Sequence, residues 1–162
     1  MKVKKNNLSI LLLFLLLISC DFNTVYHTYN HIPLTGWNKN DTLYYNVVPI
    51  IYSETLQTSI EIRNNSHYTY SNLYLFVHYN LPDTTLFSTD TIECILADEQ
   101  GKWRGEGLGT LYQSSLIWKD FHIKDSNMNY QIKITHGMTD SVVKGIVNVG
   151  IHMKKQIGNK TF

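Results

Sequence analysis

Leu73-Tyr74-Leu75-Phe76-Val77-His78-Tyr79 decides the fold class of this chain. Successive side chains of an extended strand point to opposite faces. Leu73, Leu75 and Val77 therefore share one side, and Tyr74, Phe76 and His78 share the other. Both sides are apolar or aromatic, so the segment is expected to be a strand covered on both faces. Leu81-Pro82-Asp83 ends it. Upstream, Leu43 to Tyr52 is strand-like, with Pro49 marking a bulge or a sheet edge. Leu56 and then Ser59 to Arg63 alternate apolar and polar residues before a turn cluster at Asn64-Asn65-Ser66. Downstream come Thr89 to Ala97, a turn at Asp98-Glu99-Gln100-Gly101, then Leu108 to Gln113 and Leu116 to Phe121. Tyr130 to Thr135 and Ile146 to Met153 close the series, each with a period of two. About eight strands joined by Asn, Asp, Gly and Pro turns predict an all-β single domain. The expected architecture is an antiparallel β-sandwich of jelly-roll or immunoglobulin-like type over residues 31–155, with a frayed tail at 156–162.

The other decisive stretch is at the N-terminus. Lys2, Lys4 and Lys5 precede an apolar run from Leu8 to Ile18, broken only by Ser9. A helix needs about 20 residues to cross the hydrocarbon layer, and this run has 11. It reads as a cleaved secretory signal over residues 1–19, set apart from the fold. The signal ends in Leu17-Ile18-Ser19-Cys20, which resembles the lipobox of bacterial lipoproteins. That resemblance implies a lipidated Cys20 (diacylglyceryl on sulfur, palmitate-type acylation of the amine) as the mature N-terminus. Two or more acyl chains anchor stably where one does not. Residues 20–30 are then a short tether leading into an edge strand, since Val25, Tyr26 and Tyr29 suit a sheet.

Without residues 1–19 the chain keeps 143 residues, enough for one sizeable core, with eleven basic and thirteen acidic residues and a net charge of −2. There is no basic excess to displace phosphate counterions, which argues against nucleic acid as a partner. Membrane attachment is expected through lipid rather than charge. Lipidation leaves Cys94 as the remaining cysteine, so no internal disulfide is expected, and its apolar setting predicts a buried, inert thiol.

Sequence signatures for chemistry are lacking. The seven histidines, at 27, 31, 67, 78, 122, 136 and 152, form no H-E-x-x-H. His27 and His31 are four apart, but that spacing suits zinc on a helix, and this segment reads as extended. No metal and no cofactor besides the covalent lipid is therefore expected. No Gly-x-Ser-x-Gly elbow occurs. The glycines of Gly101-Lys102-Trp103-Arg104-Gly105-Glu106-Gly107-Leu108-Gly109 lack the Gly-Lys-[Ser/Thr] ending of a phosphate loop and are better explained as bends or bulges. Asp98 and Glu99 fall on the hairpin turn as solvated carboxylates. The eleven tyrosines and three tryptophans suit a sandwich core and its rims first, a protein interface second and a sugar-stacking face third.

Several local patterns, taken in order, resemble the gliding-motility lipoprotein family GldH of the Bacteroidetes. After the lipobox they are Val25-Tyr26, Ile32-Pro33 and Gly36-Trp37-Asn38-Lys39-Asn40-Asp41-Thr42. Then come Ile62-Arg63-Asn64 and Tyr70-Ser71-Asn72-Leu73-Tyr74-Leu75-Phe76-Val77. Asp90-Thr91-Ile92-Glu93-Cys94, Leu96-Ala97-Asp98, Gly101-Lys102-Trp103, Gly105, Gly107-Leu108-Gly109 and His136-Gly137-Met138 complete the series. The resemblance implies an envelope lipoprotein needed for gliding and tied to type IX secretion, with other proteins of that machinery as partners. It implies no enzymatic activity and brings no catalytic residue. Surface-exported lipoproteins of this phylum tend to carry acidic residues just after the cysteine. Here Asp21 is followed by Phe22-Asn23-Thr24, so a periplasm-facing position on the outer membrane is expected.

The functional expectation is a non-catalytic scaffold, confined beside its partners by the lipid. The candidate partner-binding residues are Trp37 with Asn38 and Asn40, and the Lys102-Trp103-Arg104 loop. Both put a large ring beside polar residues in a predicted turn. The alternative is a glycan- or peptidoglycan-binding module using the same aromatics.

Overall fold

The computed structural model describes residues 23–48, 54–81, 86–123 and 129–156. The expectations attached to Cys20, Pro49 and Pro82 lie outside these residues. So does that for the tail beyond Gln156, whose backbone N–H still bonds to Thr55. Among the described residues there are eleven strands and no helix. One five-stranded sheet contains β1 (Thr24–His31), β11 (Ile146–Lys155), β4 (Glu54–Asn65), β8 (Leu111–Ile123) and β7 (Glu106–Leu108), adjacent in that order. A four-stranded sheet contains β3 (Leu43–Val47), β9 (Tyr130–His136), β5 (Asn72–Tyr79) and β6 (Ser88–Ile95). A two-stranded ladder pairs β2 (Trp37–Asn38) with β10 (Val142–Val143).

All pairings are antiparallel. Counting only the eight long strands, one sheet reads first-eighth-third-sixth and the other second-seventh-fourth-fifth. The chain thus crosses between sheets at every step except the β5–β6 hairpin, and β1 and β11 pair side by side. That is jelly-roll order, and it separates this sandwich from the immunoglobulin arrangement.

The core follows from the alternation. Ile60 and Ile62 of β4 and Val149, Ile151 and Met153 of β11 face Tyr45, Leu73, Leu75, Val77, Ile132 and Ile134 of the other sheet, all buried. Each such side chain contributes about 1.5–3 kcal/mol on burial, so two alternating faces suffice to hold the sheets together. Cys94 joins this core as expected, and burial, aided by the charge of Glu93, pushes its thiol up to about 12. The Tyr45 hydroxyl crosses the sandwich to the Val149 carbonyl at 2.8 Å. At one flank Asp90 of β6 accepts bonds from Trp118 (3.0 Å) and Lys119 (3.1 Å) of β8, tying the sheets at their edges.

Some expectations change. The face of β5 carrying Tyr74 and Phe76 is open to solvent, at 39% and 37% exposure, because among the described residues no layer covers the outside of the four-stranded sheet. The two strands expected at 108–113 and 116–121 become the hairpin β7–β8. Ser114 and Ser115 do not interrupt β8, since both pair with β4, and the irregularity falls instead at Trp118, an extra residue between Ile117 and Lys119. Asn64 and Asn65 belong to β4, and the chain turns at Ser66 and His67. The strand from Leu43 runs to Val47, followed by residues beyond description at 49–53. The turn at Asp98–Gly101 forms as read, with Gly101 at φ 79° and the Asp98 carboxylate accepting the Gln100 and Lys102 N–H groups.

Candidate functional site

The two halves of the expected patch have different fates. Trp37 is 1% exposed, so it is a core residue and not a contact surface. Its strand β2 pairs with β10, placing Trp37 opposite Val143, and its indole N–H donates to the Asp41 carbonyl at 2.9 Å. The ring meets buried His136 edge-on at a centroid distance of 5.3 Å. Asn38 and Asn40 shape the turn that follows, the Asn38 side-chain oxygen accepting the Asn40 N–H at 2.9 Å. Asn40 is exposed and Asn38 half-buried. The ring was expected outside because its neighbours are polar. It lies inside because β10, remote in sequence, pairs with its strand and sets buried Val143 opposite it, while His136 meets the ring.

Lys102 and Arg104 are exposed, and Trp103 between them is half-buried. Trp103 forms an isolated bridge with Ala97, and its ring lies between those of Tyr68 and Tyr112 at 6.4 and 5.7 Å. Arg104 borders an open groove of about 830 Å³ that includes Arg63, Ile95, Glu106, Leu111 and Gln113. Ile95 and Leu111 are exposed there. The groove therefore combines apolar surface with charges of both signs, a composition suited to a protein partner.

A third feature has no counterpart in the sequence reading. On the outer face of the five-stranded sheet, His27 of β1 pairs directly with His152 of β11, while Tyr29, Gly150 and Glu61 line up across three strands. The rings of His27 and His152 have centroids 4.5 Å apart. Glu61 is only 5% exposed although it lies on an outer face, because these side chains cover it. Its Oε2 is 3.0 Å from His27 Nε2 and also accepts the Tyr29 hydroxyl; its Oε1 is 3.5 Å from His152 Nδ1. Gly150 permits this. A Cβ there would sit 2.6 Å from the Tyr29 ring, which crosses β11 at that point to reach β4. The Arg63 guanidinium caps the other side of that ring at 3.9 Å from its centroid.

The electrostatics follow from the packing. Burial raises the Glu61 carboxyl, but the bonds from Tyr29 and His27 and the charge of both histidines overcome it, so it stays ionised below the ordinary carboxylate range. Burial and the bond to Glu61 push Tyr29 up to about 12, keeping its hydroxyl a donor at neutral pH. Spacing along the chain hid this cluster, because His27 and His152 meet only when the first and last strands pair. The available signal was modest: a histidine in each terminal strand and an acidic residue inside the apolar alternation of Ile60-Glu61-Ile62.

Comparison with known proteins agrees with the resemblance noted in the sequence. The model of the GldH lipoprotein family matches residues 24–153, from the start of β1 almost to the end of β11. A gliding motility lipoprotein GldH homolog from Christiangramia forsetii is 30% identical over 148 residues, covering 87% of this chain and 90% of the relative. Gliding motility lipoprotein GldH from Flavobacterium johnsoniae is 25% identical over 160 residues, covering 94% and 98%. Among solved structures, the CBM22-1–GH10 modules of Clostridium thermocellum xylanase 10B, complexed with xylohexaose, align over 86% of this chain and 30% of theirs. The TM-score is 0.39 and the identity 14%, too low to carry an argument about ligands.

Proposed function

This chain belongs to the GldH lipoprotein family, and on that premise we propose that it is a lipid-anchored, non-catalytic scaffold of the gliding-motility and type IX secretion machinery. The observation that carries the proposal is the extent of the family match, which runs from residue 24 to residue 153, from the start of β1 into β11. Cys20 is the proposed anchor, acylated in the outer membrane with the domain facing the periplasm. Only residues 21–23 would separate the lipid from β1, which would hold the sandwich close to the membrane. Confinement to a surface raises the effective concentration of its partners without adding contacts.

The proposed contact surface is the Lys102-Trp103-Arg104 loop with the adjoining groove. Its support is the exposed apolar surface of Ile95 and Leu111 beside Arg104, since arginine and aromatic residues carry much of the energy of protein interfaces. Trp37 has no part in it. A second reading, a glycan-binding module, is favoured by the exposed rings of Tyr44, Tyr74 and Phe76 on the outer face of the four-stranded sheet.

Crosslinking and pull-down from native membranes, comparing the wild type with Cys20→Ala, tests both readings. Recovery of motility or secretion proteins with the lipidated form alone is the expected result. Recovery of glycan without protein partners would transfer the assignment to the second reading. Equal recovery with both forms would remove the anchor from the mechanism.

A further inference from the structure

We propose that His27, His152 and Glu61 form a binding site for a divalent transition-metal ion of the zinc class. Two imidazoles and one carboxylate are the ligand types such ions accept, and here each comes from a different strand. Their ligand atoms all lie within 4.8 Å of one another. Bonds of about 2.0–2.1 Å in a tetrahedral site put ligand atoms about 3.3 Å apart. Glu61 meets the two rings through different oxygens, Oε2 at 3.0 Å from His27 Nε2 and Oε1 at 3.5 Å from His152 Nδ1, so rotation of the rings toward one shared oxygen would complete three-fold coordination. A fourth position would remain for water or for a donor from another molecule.

The surroundings match the secondary contacts that metal ligands usually have. Thr24 Oγ1 lies 2.9 Å from His152 Nε2. In the tautomer whose Nε2–H donates a hydrogen bond to that oxygen, the Nδ1 lone pair is directed at the cluster. The Tyr29 hydroxyl holds the carboxylate from the opposite side, and Gly150 and Arg63 hold the Tyr29 ring. The competing account is a plain ion pair between Glu61 and protonated histidine. Two imidazolium rings with centroids 4.5 Å apart repel each other, whereas one divalent ion satisfies both nitrogens and the carboxylate together. An ion here would join β1 to β11 and β4, stapling an edge strand to the body of the sheet.

Zn²⁺ alone is the first probe, titrated by calorimetry into the full chain in detergent after treatment with chelator. Co²⁺ follows, because its visible absorption reports ligand type and geometry. The expected result is one ion per chain, a rise in melting temperature on Zn²⁺ addition, and a cobalt spectrum of low-coordinate nitrogen and oxygen ligation. His27→Ala and His152→Ala should each weaken binding by roughly 100-fold, given that loss of a supporting contact alone costs about 10–100-fold. Glu61→Gln should do the same. His27 is partly exposed at an edge strand, so its variant keeps the test valid if Glu61→Gln fails to fold. His67→Ala, on an exposed turn, should leave affinity unchanged. No saturable binding, or binding indifferent to both His27→Ala and His152→Ala, would overturn the proposal.

Discussion

Trp37 and Trp103 both stand beside polar residues in turn-like segments, Gly36-Trp37-Asn38-Lys39 and Lys102-Trp103-Arg104, yet the fold treats them differently. Trp37 is closed in by β10 and His136, with its N–H bonded to the Asp41 carbonyl. Trp103 keeps an open side, held by an isolated bridge and the neighbouring rings of Tyr68 and Tyr112. Both rings have polar neighbours, so a polar neighbour does not by itself put a ring at the surface. What decides it is how completely distant segments cover the ring: Trp37 is enclosed, whereas Tyr68 and Tyr112 leave Trp103 half-buried.

The largest expected effect tests the buried member. Trp37→Ala should cost about 3–5 kcal/mol, the range for emptying a packed aromatic site, and urea unfolding would register it as a lower midpoint at an unchanged slope. A loss within about 0.5 kcal/mol would place Trp37 with surface residues and dissolve the contrast. Gly145 links the two regions, since it follows β10 and packs against Tyr68, whose ring adjoins Trp103. Its φ is +87°, and a Cβ there would lie 2.1 Å from the Tyr68 nitrogen, which is backbone and cannot swing away. Gly145→Ala should therefore cost about 2–3 kcal/mol through strain and displacement, with near-ultraviolet circular dichroism changing at both tryptophan regions. Trp103→Ala should fall below both, at about 1–2 kcal/mol, because only part of its ring is buried.

These contrasts also show what could be read from sequence. Period-two alternation in β5, β9 and β11 was legible because a half-buried strand declares itself locally. The strand near the N-terminus and the turn at Asp98–Gly101 were legible from residue type, β-prone Val25, Tyr26 and Tyr29 in the one and Asp and Gly in the other. The β2–β10 ladder was not, since two residues pairing with two others leave no periodic trace. Trp37 was misplaced with it. The Glu61 cluster depends on strand order, which determines that the first and last strands are neighbours. Alternation gives the inward face of each strand but not the partner beside it.

His136 extends the comparison to pH. Its ring sits at 1% exposure, edge-on against Trp37. Burial lowers its pKa below 6.5, with Lys39 adding to the shift while the Trp37 backbone, Asp140 and Asp41 oppose it. The folded state therefore binds a proton less readily than the unfolded state. Above 6.5 both states are neutral and His136 adds no pH dependence; below it, the unfolded state takes up the proton first and stability falls. One such proton contributes at most about 1.4 kcal/mol per pH unit. Urea midpoints measured from pH 7.5 downward should fall less steeply in His136→Leu than in the wild type. Equal slopes would mean that the ring is protonated as easily inside as outside.

The smallest effect on stability belongs to the residues beside Trp103, and it decides what that region is for. Lys102 and Arg104 are exposed, and exposed side chains seldom change stability by more than about 0.5 kcal/mol. Arg104→Ala and Lys102→Ala should therefore unfold with wild-type urea curves. If the groove beside Arg104 is the partner surface, Arg104→Ala should nonetheless reduce crosslinked recovery of envelope proteins from native membranes. The loss should exceed that of Lys102→Ala, because Arg104 lines the groove and its planar guanidinium offers several donors. Unchanged recovery with both variants would make the Trp103 loop a structural rim. The partner surface would then have to be sought on the outer face of the four-stranded sheet, among Tyr44, Tyr74 and Phe76. Lost stability with lost recovery would instead mean that the loop supports the fold, erasing the difference between the two tryptophan regions.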